Sequence, residues 1–269
     1  MITVLGASGF IGSHLANKLA QFEVEFQTIG RSEPLPAGNL GHVVYCIGLT
    51  ADFRSRLFDT VEAHVCTLLE LVRKCRFDSL LYLSSTRLYA AGDSTDEEQS
   101  LCVAPRDQSD LYNISKVMGE SIALNSGRPA RVVRIANVYG PDFASDNFLP
   151  SLLKRAVSGE RIVLQTAPDS AKDYISITDV VDGLIRIVNR GQDQIYNLAS
   201  GINVSHAQLA ERLRSLTGCT FEFTPGAPAI SRPQININRM RAEFSFAPAS
   251  VLDDLPKLVQ LYEGNRSRT

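Results

Sequence analysis

Short runs of apolar residues alternate along this chain with longer stretches whose apolar positions recur every three or four residues. Runs at residues 2–5, 24–29, 42–48, 80–83, 131–135 and 194–198 read as strands. Between them lie helical stripes. Ile11, Leu15, Leu19 and Phe22 form one, and Phe53, Leu57, Val61, Val65, Leu68 and Val72 form another over residues 52–76. Val181, Leu184, Ile187 and Val188 follow a cap at Thr178 or Asp179, and Ser205 with Gln208 forms a capping box before Leu209, Leu213 and Leu216. Strands that alternate with helices predict an α/β fold, a doubly wound parallel sheet.

The first strand leads into Gly6-Ala7-Ser8-Gly9-Phe10-Ile11-Gly12-Ser13. Glycine at 6 permits a sharp turn out of the strand. Glycine at 9 lets a pyrophosphate approach the backbone, and glycine at 12 lets the helix lie close to the sheet. The unpaired N–H groups of that helix would face the phosphates. By itself a glycine triplet also fits a plain strand-turn-helix; its place between a strand and a helix favours a dinucleotide site. After the second strand come Arg31 and Ser32, where an NAD site would carry an acidic residue. A cation there suits the 2′-phosphate of NADP, with NAD as the alternative.

Only residues 33–41 separate the second and third strands. A crossover helix needs at least about 10–12 residues, so the outer strand on that side of the sheet is expected to be missing.

Net charge is −2 and 21% of residues are charged, which argues against nucleic acid or an anionic membrane as partner. No run approaches ~18 apolar residues, and the N-terminus enters a strand rather than a leader. Five cysteines without a C-x-x-C fit free thiols in a cytoplasmic, reducing compartment, and the four histidines show no metal-ligand spacing. No metal is expected.

Ser84-Ser85-Thr86-Arg87-Leu88-Tyr89 leaves the carboxyl end of a buried strand, where open α/β sheets bind ligands. Downstream, Tyr112 and Lys116 stand four apart, on one face of a helix. An ammonium beside a phenol stabilises phenolate and lowers its pKa from near ~10.

Glycine loop, Ser-Ser and Tyr-x-x-x-Lys, in this order, resemble the extended, sugar-nucleotide-modifying branch of the short-chain dehydrogenase/reductase superfamily, the NAD(P)-dependent epimerase/dehydratase family. The resemblance covers nearly the whole chain, and it thins beyond Asp179. It implies a Rossmann domain at 1–140 plus 172–204, and a small α/β substrate lobe at 141–171 plus 205–269. Ser85, Tyr112 and Lys116 are implied as catalytic. Cofactor contacts fall to Gly6, Ser8, Gly9, Phe10, Ile11, Gly12, Arg31, Ser32, Cys46, Ile47, Gly48, Tyr112 and Lys116. Cys46 and Gly48 stand where the family has histidine and alanine. Substrate contacts fall to Ser84, Ser85, Thr86, Arg87, Asn137, Asn147, Lys172 and Arg232. Lys172 replaces an arginine, so it keeps the charge without the bidentate fork. His64, where the family often has asparagine, is read as a hydrogen-bonded structural histidine, with a water relay as the alternative.

The implied activity is NADPH-dependent reduction of a 4-keto, 6-deoxy nucleoside-diphosphate sugar, with Tyr112 donating the proton. A 4-epimerase with bound NAD and a non-enzymatic dinucleotide sensor are the alternatives. A 4,6-dehydratase is disfavoured, since Thr86 and Arg87 occupy the positions of its acid and base. The partner is a small molecule, and a homodimer is compatible with the resemblance.

Overall fold

The computed structural model describes residues 1–30, 33–36, 38–49 and 52–267. Its centre is a six-stranded sheet in which every pairing is parallel. The first three strands are β1 (Ile2–Leu5), β2 (Phe26–Ile29) and β3 (His42–Tyr45). β4 (Ser79–Ser85) and β5 (Ala130–Ile135) follow, and a late strand, Ile195–Leu198, completes the sheet beside β5. β1 sits between β2 and β3, with Val4 level with Thr28 and Val44.

β2 is an edge, and among the described residues no strand lies beyond it. The short connection after it does what a crossover helix would do. Leu35 and Leu40 pack over Ile29 and Val43, on the sheet face also covered by Leu68 and Leu71.

α1 (Phe10–Gln21) follows the glycine turn, and its buried Leu15 and Leu19 meet the opposite face of the sheet. The stripe expected over 52–76 is shorter and less regular than a single α-helix. It consists of α2 (Leu57–Val61), a π-helical turn at Glu62–Cys66 and α3 (Thr67–Lys74). Phe53 therefore lies outside the helix. The wider π turn turns Ala63, His64 and Val65 inward together. α4 (Leu111–Leu124) carries the Tyr-x-x-x-Lys face.

Beyond β5 the chain builds the lobe. β6 (Asn137–Tyr139), β8 (Ala171–Ser176) and β10 (Asn203–Ser205) form a three-stranded ribbon in the order β10-β8-β6. The lobe proper has α5 (Phe148–Val157), β7 (Ile162–Leu164), α7 (His206–Thr217), β11 (Phe221–Phe223) and α9 (Val251–Arg266) around its own core. α6 (Ile177–Arg190) lies between them in sequence and packs beneath the sheet, ahead of β9 (Ile195–Leu198). Its N-cap is Ser176, whose hydroxyl accepts the Asp179 N–H, rather than Thr178 or Asp179. The capping box at Ser205 and Gln208 forms as expected.

Residues 235–246 differ from the sequence expectation. Ile235, Ile237, Phe246 and two residues of α8 (Asn238–Phe244), Met240 and Phe244, lie in the core beneath the sheet, not in the lobe.

Candidate active site

Two glycines of the first turn leave no room for a side chain. Gly6 has φ +80°, and a Cβ there would lie 3.0 Å from the Cys46 carbonyl carbon. At Gly12 a Cβ would collide with the Gly6 carbonyl oxygen, so this residue sets how closely α1 approaches the turn. Ser8 and Gly9 are exposed, and Gly9, the N-cap of α1, supplies no side chain to its first N–H groups. Phe10 and Ile11 are half-buried. Open backbone donors at the positive end of a twelve-residue helix fit a pyrophosphate. Arg31 and Ser32 lie outside the described residues.

Cys46, Ile47 and Gly48 follow β3 to the carboxyl edge of the sheet. Burial pushes the Cys46 thiol up to about 12, although the Lys116 charge pulls the other way. A Cβ on Gly48 would stand 3.2 Å from His64 Nε2 and 3.5 Å from Lys116 Nζ. Glycine there keeps this part of the cleft floor open.

Ser85 ends β4, and its hydroxyl oxygen accepts the Arg87 N–H at 3.2 Å. The Ser85 side chain faces the phenol of Tyr112, from the first turn of α4, and favours its ionised form. Tyr112 is only 6% exposed, with Phe53 at 4.9 Å and the edge of His64 at 5.3 Å between ring centroids. One turn on, Lys116 is buried; its Nζ donates to the Leu83 carbonyl at 2.8 Å and sits 5.0 Å above the Tyr82 ring.

Burial lowers Lys116 to about 7, against the opposing effect of Glu120 and Cys46. Burial likewise raises Tyr112 above the ordinary phenol value; the Ser85 hydroxyl and the Arg87 charge act against it. The lowering of Tyr112 by Lys116 expected from the spacing is therefore not seen. The cation that acts on the phenol is Arg87, which no simple motif pairs with it.

His64 is structural. Its Nε2 accepts the Leu49 N–H, and Nδ1 donates to the Ser115 hydroxyl, which in turn donates to the Tyr112 carbonyl. That network assigns the neutral tautomer, and burial holds the imidazole down at about 2. Ser84 is a correction. Successive strand residues point to opposite faces, so Ser84 turns away from Ser85 and donates to Glu120 Oε1 at 2.5 Å. Glu120 pairs with the buried Arg134, whose guanidinium also reaches the Tyr89 hydroxyl and the Glu97 carbonyl. This network braces the helix and strand behind the site and contacts no cleft.

The wall beside Tyr112 is cationic, with Arg87 following β4 and Lys172 and Arg232 coming from the lobe side. Arg87 is half-buried beside Tyr112, and Thr86 donates to the Ile135 carbonyl at 3.5 Å. Burial depresses Arg87, and the charges of Arg54 and Arg232 depress it further. Lys172 on β8 lies 4.9 Å from the Phe148 ring; burial lowers it, then Arg232 and Arg87. Asn137 is exposed and donates to the Asp173 carbonyl, while Asn147 is the exposed N-cap of α5. Sequence reasoning missed Phe53 and Arg54 as neighbours of Tyr112. Their nearness arises from a loop closing over the end of α4, which no periodicity records.

A parallel dinucleotide sheet with Ser85, Tyr112 and Lys116 gathered at one end of it defines a nicotinamide-dependent oxidoreductase of the short-chain dehydrogenase/reductase type. The chain belongs to the NAD dependent epimerase/dehydratase family, whose sequence profile matches residues 38–199. It is 25% identical to a dTDP-4-dehydro-6-deoxy-D-allose reductase of Streptomyces bikiniensis, across 92% of this chain and 91% of that one. Its fold matches MoeE5 in complex with UDP-glucose and NAD, with a TM-score of 0.81 at 21% identity, over 100% of this chain and 99% of the other. RMD from Pseudomonas aeruginosa, complexed with NADPH, gives 0.78 at 21% identity, over 98% and 100%.

Proposed function

We propose that this enzyme uses NADPH to reduce the 4-keto group of a nucleoside-diphosphate sugar, with Tyr112 as the general acid. The observation that carries the reading is the convergence at the carboxyl end of β4 of Ser85, the buried Tyr112 and, one helical turn on, the buried Lys116. The glycine turn would hold the dinucleotide, which would supply the hydride. Tyr112 gives its proton to the carbonyl oxygen as charge develops there. Ser85, beside the phenol, orients it and donates to the same oxygen. Lys116, beside Gly48 where no side chain intervenes, would be the residue to hold the cofactor's ribose. Lys172 and Arg232 pair with the diphosphate, and Asn137 and Asn147 border its path.

Loss of water is disfavoured, because Thr86 is tied to a carbonyl and Arg87 is a permanent cation. NADPH rests on Arg31 in the sequence, and the relative allose reductase is consistent with net reduction. Five free thiols fit a cytoplasmic setting.

The test mixes enzyme, NADPH and a panel of 4-keto nucleotide sugars and follows nicotinamide absorbance. Stoichiometric NADPH consumption supports the reading. Interconversion of 4-epimers without added cofactor would establish the epimerase instead, and absence of both reactions with retained dinucleotide binding would favour a sensor. Arg31→Asp should shift preference from NADP toward NAD by about tenfold or more; equal preference in both proteins would contradict the cofactor assignment.

A further inference from the structure

Tyr112 is covered by a small core of its own. Leu49, Phe53, Ala63 and Tyr112 form a cluster apart from the three larger ones, with Ile47 packed against it. Phe53 is 4% exposed there although it lies outside any helix or strand, and its ring meets the Tyr112 ring at 47°. The π turn contributes Ala63. The segment that carries Phe53 is held in place by its own bonds. The Ser55 N–H and hydroxyl both donate to the Asp52 carbonyl, and Arg56 pairs with the Asp52 carboxylate at 3.1 Å. Arg54 donates to the Ser109 hydroxyl at 3.5 Å, with its guanidinium 4.5 Å from the Phe53 ring. Apolar cover withholds water from whatever it touches, and here it touches the proposed proton donor.

The polar groups around the phenol do not keep it protonated. Ser85 and Tyr82 come from β4, and Arg87 follows it, 5.9 Å from the Tyr112 ring. His64 of the π turn is neutral, and Lys116, one turn on in α4, is bound to the Leu83 carbonyl. Asp110 precedes α4, where it pairs with Asn113 and offsets Arg87, and Arg54 lies beyond Phe53. Ser85 and Arg87 both favour the phenolate, and burial outweighs them.

We propose that Phe53 is a positioning residue that caps the Tyr112 ring, keeps water from the phenol and holds it as a neutral acid fitted to reduction of the sugar. A neutral phenol gives its proton to the carbonyl oxygen while the carbonyl carbon takes hydride from NADPH, leaving phenolate and NADP. Oxidation of the sugar, the first half of an epimerase cycle, needs the phenolate as base, and the cap keeps that form scarce. The inference deepens the reductase reading and rests on Tyr112 as its proton donor.

Ultraviolet titration of the full chain, without substrate or cofactor, reads the phenol directly. The sequence has no tryptophan, and subtracting the Tyr112→Phe signal removes the other seven of its eight tyrosines. In wild type the Tyr112 midpoint should lie above the ordinary phenol value near ~10. Phe53→Ala should lower it by about 1 pH unit or more, because the Ser85 hydroxyl and the Arg87 charge then act with less opposition. Phe53→Leu, which keeps most of the cover, should stay within about half that distance of wild type, with Phe53→Val between the two. If the alanine variant does not fold, valine and leucine carry the comparison. A midpoint that the smaller side chains do not move overturns the cap. An equal fall in all the variants, leucine included, also overturns it, since loosening of the fold and not lost cover would then be responsible. Turnover of a 4-keto nucleotide sugar with NADPH is measured separately. Its alkaline decline should move with the Tyr112 midpoint in Phe53→Ala, with KM within about threefold. A shifted midpoint without turnover of any sugar sustains the cap and overturns the reductase reading. Turnover with an unmoved midpoint does the reverse.

Discussion

The two walls of the cleft are built on opposite terms. On the sheet side most buried polar groups satisfy one another: Lys116 on Leu83, His64 between Leu49 and Ser115, Ser84 on Glu120, and Glu120 on Arg134. The lobe side leaves groups unmet. His206 Nε2, Tyr174 Oη and Asn203 Oδ1 are buried without hydrogen-bond partners among the described residues, against Arg87 Nε and Asn113 Oδ1 on the sheet side. Lys172 and Arg232 repel one another there as well. A wall that completes its own bonds fixes the positions of Tyr112 and Lys116 without a ligand. A wall with unpaired polar groups has hydrogen bonds still to make with whatever it binds.

The largest effect expected on the sheet wall is chemical. Tyr112→Phe should lower turnover by about 10²–10⁴-fold with NADPH affinity changed by less than about twofold, because the ring remains and only the proton is lost. A variant that keeps more than about a tenth of wild-type turnover would contradict the role.

Glu120→Ala comes next. It strands the buried Arg134 without its carboxylate and should cost about 3–5 kcal/mol in urea denaturation. A loss below about 1 kcal/mol would mean the network does not brace this wall.

Lys116 supplies a pH test. Its folded value is about 7 against an ordinary 10.5. Between those values the unfolded chain takes up a proton that the folded chain does not. Stability is therefore fully present above 10.5 and declines as pH falls to about 7. Lys116→Met should flatten that decline by on the order of 5 °C in Tm. An unchanged slope would show that the amine is not desolvated.

The smallest effect is expected on the lobe wall. His206 stacks on Phe148 at 4.4 Å and leaves Nε2 unpaired. His206→Phe keeps the stack, gives up a hydrogen bond with Thr166 and should change stability by less than about 1 kcal/mol. A loss comparable to Glu120→Ala would erase the contrast between the walls.

Legibility in the sequence follows the same division. Glycine spacing, the i,i+4 pair Tyr112 and Lys116, and the shortness of residues 33–41 are local facts, and the sheet with β2 at its edge reflects them directly. What was hidden depends on geometry between distant segments. A π turn changes which residues of the 52–76 stripe face inward, and it leaves Phe53 free to close over Tyr112. Ser84 and Ser85 look equivalent in sequence, and strand alternation sends them to opposite faces. Apolar residues at 235–246 carry no mark of which of two cores will bury them, and they return to the one beneath the sheet. The cationic wall was half legible: Arg87, Lys172 and Arg232 stand at motif positions, whereas Arg54 reaches the site through its loop.

Transfer of the hydride itself is the most direct test of the central claim. Enzyme, NADPH carrying deuterium at C4 of the nicotinamide in each stereoisomer, and a 4-keto nucleotide sugar are mixed, and the product is analysed by mass spectrometry. The account predicts one deuterium at sugar C4 from one of the two stereoisomers, with one NADPH consumed per product, and none with Tyr112→Phe on the same timescale. A product formed without label from either stereoisomer, or formed equally well without added NADPH, would contradict it.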